Sequence, residues 1–142
     1  MAASTVPTVK AALITLFTTA NPNVPVDWAA PAEDDRYGED NIWLGDVEQE
    51  EDFKVLGRQR IDEEFTLDFW VQTVRQGNDP QDAEEAAWTL REACVTAIRS
   101  DLTLGGIVNQ WVGPHPTRME VRPLPNGWLA KGRVALTCRA RI

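Results

Sequence analysis

Residues 61–75 read IDEEFTLDFWVQTVR, and their alternation decides the fold class. Phe65, Leu67, Phe69 and Val71 fall on one parity, and Glu64, Thr66, Asp68, Trp70 and Gln72 on the other. A period of two over this length predicts a β-strand buried on one face. Immediately after it, Gly77-Asn78-Asp79-Pro80 both breaks the strand and opens a helix. Asp79 suits the N-cap and Pro80 the first helical position, while Asp82, Glu84 and Glu85 match the positive end of the helix dipole. Ala83, Ala87, Leu90, Cys94, Ala97 and Ile98 then recur as one apolar stripe to about residue 100, with Arg99 near the negative end.

Working outward, residues 6–19 predict a second helix, with Val9, Leu13, Leu16, Phe17 and Ala20 as its stripe. Thr5 is its expected cap, and Asn21-Pro22-Asn23 its end. Val24 to Trp28 reads as a short strand that Pro25 confines to a sheet edge. Residues 29–40 read as a long polar loop. Asn41 to Val47 is a strand, with the acidic run Glu48 to Asp52 expected in a charged connection spanning 48–60. Strands are also expected at 107–112 and 117–122, around a Gly113-Pro114-His115-Pro116 loop. Pro123 to Gly127 signals a hairpin. Trp128, Ala130, Val134, Leu136, Cys138, Ala140 and Ile142 then share one parity, opposite Lys131, Arg133, Thr137, Arg139 and Arg141. Such a strand is long, and Gly132 is a natural place for a bulge. The order helix, strands, helix, strands implies an α+β fold: an antiparallel or mixed sheet with two main helices packed on it, residues 1–142 forming one domain.

At 142 residues with 43% hydrophobic and 25% charged side chains, the chain has globular rather than disordered composition. No segment reaches the roughly 18 apolar residues of a membrane helix, and MAASTVPTVK has no signal-peptide core. The net charge of −8 argues against nucleic-acid binding by the chain as a whole. That charge is unevenly spread. Residues 27–64 hold fourteen acids against four bases, whereas residue 107 onward holds six bases and one acid. Two solvated faces account for this, and so does head-to-tail contact between copies.

Catalytic chemistry finds little support. His115 is the only histidine and lies between prolines, with no triad or zinc partner at usable spacing. Cys94 and Cys138 fall on apolar phases and read as buried thiols rather than nucleophiles or a disulfide. The acidic run lacks the glycine of a calcium loop, and Leu104-Gly105-Gly106-Ile107 lacks the Lys of a phosphate loop. No cofactor, metal site or catalytic residue is expected. Trp70 and Trp88 stand out because their phase is wrong for the core, so each is covered by another part of the chain or anchors a partner.

Taken together, several segments resemble the tail terminator proteins of long-tailed siphophages, of the lambda-like, actinobacteriophage type. They are VKAALITLF (9–17), Val26-Asp27-Trp28, the strands and loop of 41–71, DAEEAAWTLREACVTAIRSDLTLGGIV (82–108) and GWLAKGRVALTCRARI (127–142). The resemblance implies a structural virion protein, not an enzyme. Its copies would form a hexameric ring on the tail tube, stop its polymerisation and present the surface to which head completion proteins attach. Expected partners are then other copies, the tail tube protein and a head completion protein, with DNA passing through unbound and no membrane involved. The implied location is the head-proximal end of the tail in the virion, and the host cytoplasm during assembly. The family offers no catalytic motif. Candidate interface residues follow from phase and charge instead: Trp70, Trp88, the acidic Glu48, Glu50, Glu51 and Asp52, and the basic Arg133, Arg139 and Arg141. A head-tail connector or neck protein shares these features, and a small enzyme or a small non-viral binding module are readings from other classes.

Overall fold

In the computed structural model, residues 6–29, 40–55, 60–101 and 110–141 are described, with side chains described outside 49–63, 110–117 and 139–141. The chain runs α1 (Val6–Ala20), β1 (Val26–Asp27), β2 (Asn41–Val55), β3 (Arg60–Gln76), α2 (Pro80–Ser100), β4 (Gln110–Leu124) and β5 (Gly127–Arg141). The five strands form one sheet in the order β1-β2-β3-β5-β4. Only β1 runs parallel to its neighbour; the other pairings are antiparallel. The fold is α+β with a mixed sheet, and the strand order puts the alternating β3 at the sheet's centre.

One sheet face carries the core. Phe65, Leu67, Phe69 and Val71 of β3 join Ile42 and Leu44 of β2 and Val134, Leu136 and Cys138 of β5. Against them pack Val9, Leu13 and Phe17 of α1, spaced by four so that they form a single stripe, and Leu90, Cys94, Val95 and Ile98 of α2. The Phe17 and Phe69 rings lie 4.8 Å apart, tilted by 49°. Each such side chain taken from water contributes about 1.5–3 kcal/mol. Towards the start of α2 the stripe changes to Ala83 and Ala87, which meet Ala130 of β5. These small residues bring helix and sheet close enough for the buried Thr73 hydroxyl to donate to the Ala83 carbonyl at 2.6 Å.

Local signals set the ends of the elements. The Asp79 side chain accepts from the Gln81 amide at 3.0 Å, with Pro80 in the first turn, as the sequence predicts. Asn21 closes α1 through its amide, 2.9 Å from the Phe17 carbonyl. Gly77 links β3 to α2 with φ +111°, a conformation costly for any residue with a Cβ. The predicted Thr5 cap, most of the 29–40 loop and the turn after Asp101 lie outside the described residues.

Three expectations are corrected. The acidic run Glu48 to Asp52 is not a loop: it continues β2, pairing with β3 as far as Val55↔Arg60, so the connection shrinks from 48–60 to 56–59. Residues 110–124 form one strand, not two around a loop, and His115 pairs within it opposite Ala135. The register shifts fall in β4, between Val112 and His115 and between Pro116 and Arg118. Pro114 and Pro116 are tolerated there because β4 is a sheet edge and the bulges absorb their missing donors. Gly132, by contrast, is not a bulge, since β3 and β5 pair without a break from Gln76↔Gly127 to Asp62↔Arg141. Gly132 is small for another reason: a Cβ there would stand 2.9 Å from Met119 Cε and 3.3 Å from Val71 Cγ2.

Candidate interaction surface

The sheet face opposite the main core carries the polar parity, with Trp43, Asp68 and Gln72 buried on it and Trp70, Lys131 and Arg133 half-buried. Across its middle, register aligns Trp43, Trp70, Arg133 and Arg118 in one row over four strands. Trp43 and Trp70 stack with centroids 6.2 Å apart and planes 13° from parallel. Lys131 extends over both, its Nζ 4.7 Å from the Trp70 ring and 5.6 Å from Trp43. Two rows further along this face, the Thr66 and Thr137 hydroxyls meet at 3.1 Å.

Next to this row β2 bulges. Between Leu44↔Phe69 and Val47↔Leu67, Gly45 and Asp46 together oppose Asp68. The buried Asp68 uses Oδ2 to accept from Arg133 Nε at 2.5 Å, and its Oδ1 is buried without a hydrogen-bond donor. Gly45 makes this possible, because a Cβ there would lie 1.7 Å from that Oδ1. The bulge, Trp28 just past β1, and Lys10 of α1 enclose a cleft of about 420 Å³. Lys10 Nζ sits 4.7 Å from the Trp28 ring; burial pulls its pKa down, and the nearby Asp46 carboxylate offsets part of that.

Elsewhere, Arg75 grips Asp40 with both terminal nitrogens, at 2.6 and 3.2 Å, tying the start of β2 to the end of β3. That hydrogen bonding raises the Arg75 pKa against the cost of burial. On α2, Trp88 is 43% exposed, and the Arg91 guanidinium stacks 4.0 Å from its centroid. Arg91 is itself buried, which lowers its pKa. Among the described residues no three His, Cys, Asp or Glu side chains gather as a metal site, and no helix is long and apolar enough to cross a membrane.

No protein-family model matches the sequence, and no curated protein matches it. Solved structures do match, along the whole chain. A chain of the virion of a native gene transfer agent particle aligns over 99% of this chain and all of its own length, with TM-score 0.51 and 10% identity. The sheath/tube terminator of an extracellular contractile injection system (PVC), in its extended state, aligns over all of this chain with TM-score 0.53 and 12% identity. The present chain spans 58% of that terminator's length. The fold is therefore shared with a chain of a gene transfer agent virion and with the sheath/tube terminator of a contractile injection system.

The residues singled out from sequence separate into three groups. Trp70 and Arg133 share the open face with Lys131 and Trp43, so Trp70 is half-buried by its own chain as well as facing outward. Trp88 lies apart, on the exposed side of α2. Glu48 is exposed on β2, while the side chains of Glu50, Glu51, Asp52, Arg139 and Arg141 lie outside the described set. Register nonetheless places them: Glu50, Glu64 and Arg139 form one row, and Asp52, Asp62 and Arg141 the next. Positions predicted to meet across subunits are thus already neighbours within one sheet. Sequence reasoning missed Trp28, Gly45 and the cleft, since only the approach of α1, β1 and the β2 bulge creates them.

Proposed function

We propose that the protein is the tail terminator of a long-tailed phage particle. In this reading, copies form a hexameric ring on the last ring of the tail tube, halt its polymerisation and present the surface to which head completion proteins bind. The protein then belongs to the head-proximal end of the tail. The observation that carries this is the whole-chain fold match to a sheath/tube terminator. It joins the terminator-like order of segments in the sequence, and the role asks for no catalytic site. An acidic ring lumen would let DNA pass without being held, and β2 with its five acids and one base is the natural lining.

The test is to polymerise tail tube protein with and without the purified chain and to measure tube lengths by electron microscopy. Tubes capped at a limited length are expected; an unchanged length distribution overturns the proposal. Deletion of the gene should give overlong tubes without heads.

A further inference from the structure

We propose that the two outer edges of the sheet pair with each other between copies of this chain, β4 of one copy adding antiparallel to β2 of the next. Each edge keeps backbone groups that its own neighbour strand does not use. In an antiparallel ladder, residues alternate between exchanging both hydrogen bonds with the partner and turning both groups away. The two-residue turn Pro125-Asn126 closes on the bonded pair Leu124↔Gly127. From there Arg122, Glu120 and Arg118 bond to β5, and Met119 and Val121 turn their amides and carbonyls outward. Pro123, with no N–H to give, falls on the outward phase, as this alternation requires. Carried through the unbroken β3–β5 register, the same alternation bonds Trp43, Glu48, Glu50 and Asp52 of β2 to β3. It turns Ile42, Leu44, Val47, Gln49 and Glu51 outward. The Ile42 amide fixes the phase, because it donates away from β3, to the Pro25 carbonyl at 3.0 Å. β1 pairs only with Ile42 and Trp43, so the outward groups of Val47, Gln49 and Glu51 face no partner strand among the described residues.

Strand direction permits the join. β2 runs opposite to β3, β3 to β5 and β5 to β4, so β2 and β4 point in opposite directions. Copies related by a simple rotation, each offering β4 to β2 of the next, therefore meet antiparallel with the same sheet face on the same side. Both edges are accessible: none of residues 118–124 is buried, and Asp46 and Glu48 are exposed. Charge selects the occupant. β2 against a second β2 would set acids on acids, and β4 against a second β4 would set arginines on arginines. β4 against β2 brings opposite signs together. Register puts Arg118, Glu120 and Arg122 on the same face as Glu48, Glu50 and Asp52. With Val121 opposite Gln49, Arg118 stands opposite Asp52 and Arg122 opposite Glu48. Glu120 meets Glu50 between the two arginines, and already has Arg118 as its own partner at 3.8 Å. Pro116 and Pro123 flank the stretch able to donate, so the added ladder is short. This contact deepens the terminator proposal and rests on it for closure into a ring.

Proline supplies the test, because at an outward position it removes a donor that the single chain does not use. The full chain, Gln49→Pro and Val121→Pro are compared by sedimentation equilibrium at the highest soluble concentration, with circular dichroism to follow the fold. Wild type should self-associate. Each variant should stay folded and associate at least about tenfold more weakly. An equimolar mixture of the two should form heterodimers and nothing larger, since only one junction in it joins an intact β4 to an intact β2. A wild type that stays monomeric overturns the pairing, and so does either variant associating like wild type. Val121→Pro alone associating fully would mean that β2 meets β2. Amide hydrogen exchange of wild type gives a reading that needs no variant. Exchange at Val47, Gln49, Glu51, Met119 and Val121 should slow as concentration rises, and rates there that ignore concentration overturn the pairing even if a proline variant unfolds. Neither measurement reads tube length, so failure of the edge pairing and failure of the terminator role are separately visible.

Discussion

Gly45 and Asp68 show how one residue's absence of a side chain fixes another's position. Because a Cβ at 45 would overlap Asp68 Oδ1, Gly45→Ala must push the carboxylate away from Arg133. The expected cost is about 1–3 kcal/mol, the range for disturbing a buried hydrogen-bonded charge. In an Asp68→Ala background the same change should cost far less, so urea denaturation of the four-membered cycle should be strongly non-additive. Additive losses would mean that Gly45 is required by the bulge alone. The two cysteines offer a second test at this scale. Burial pushes the Cys94 thiol up to about 12, partly opposed by the Asn21 amide 3.8 Å from its sulfur, and it pushes Cys138 upward too. The native thiols therefore keep their protons where the unfolded ones, ionising near 9.0, lose them. Their contribution to stability is fully present below pH 9 and is lost between pH 9 and about 12, at about 1.4 kcal/mol per pH unit for each thiol. Denaturation from pH 8 to 10.5 should show a steeper decline than in a Cys94→Ala/Cys138→Ala variant. Equal slopes would show that the thiols titrate normally in the fold.

The β2–β3 pair carries the charge problem of this sequence at the scale of an element. Register sets Glu50 opposite Glu64, Glu51 opposite Glu63 and Asp52 opposite Asp62, three like-charged pairs in succession. Such pairs destabilise a ladder, and β5 supplies the remedy by placing Arg139 beside Glu64 and Arg141 beside Asp62. Arg139→Glu/Arg141→Glu should therefore lower the stability of the monomer by about 1–3 kcal/mol, with part of the loss recovered in high salt. Thermal unfolding at matched ionic strength reads this, and an unchanged Tm would show that the rows do not interact. The same rows explain what could be read from sequence. Alternation in 61–75, the Asp79-Pro80 start of α2 and the stripes of both helices are local signals and were legible. The acidic run was not, because a cluster of acids ordinarily marks a solvated loop, and its neutralising arginines lie some ninety residues further along the chain. Gly113-Pro114-His115-Pro116 likewise has the composition of a turn. Only its place at the sheet edge, where bulges and missing donors are tolerated, keeps it in a strand. Parity in the sequence put Trp70 and Arg133 on the polar side of the sheet, but the cleft beside them arises from three elements distant in sequence.

For the whole molecule, the fold changes the meaning of the net charge of −8. The acidic and basic ends of the sequence do not become two separate halves, because β5 lies directly against β3 and offsets part of its charge. What survives is a polarity across the sheet: β2, near one edge, holds five acids and one base, while β4 at the other holds two arginines and one acid. In the proposed ring, copies of the chain would meet edge to edge in one direction, the acidic side of the sheet against the basic side. Attraction of this kind is screened, whereas contact through an exposed apolar side chain such as Trp88 is held or strengthened by salt. Self-association should accordingly weaken about tenfold between 0.05 and 0.5 M NaCl, with little change in the unfolding temperature of the monomer. Sedimentation velocity across that range decides the matter. Association that tightens with salt would move the contact from the charged edges to the helical face, and a Trp88→Ala variant would then abolish it.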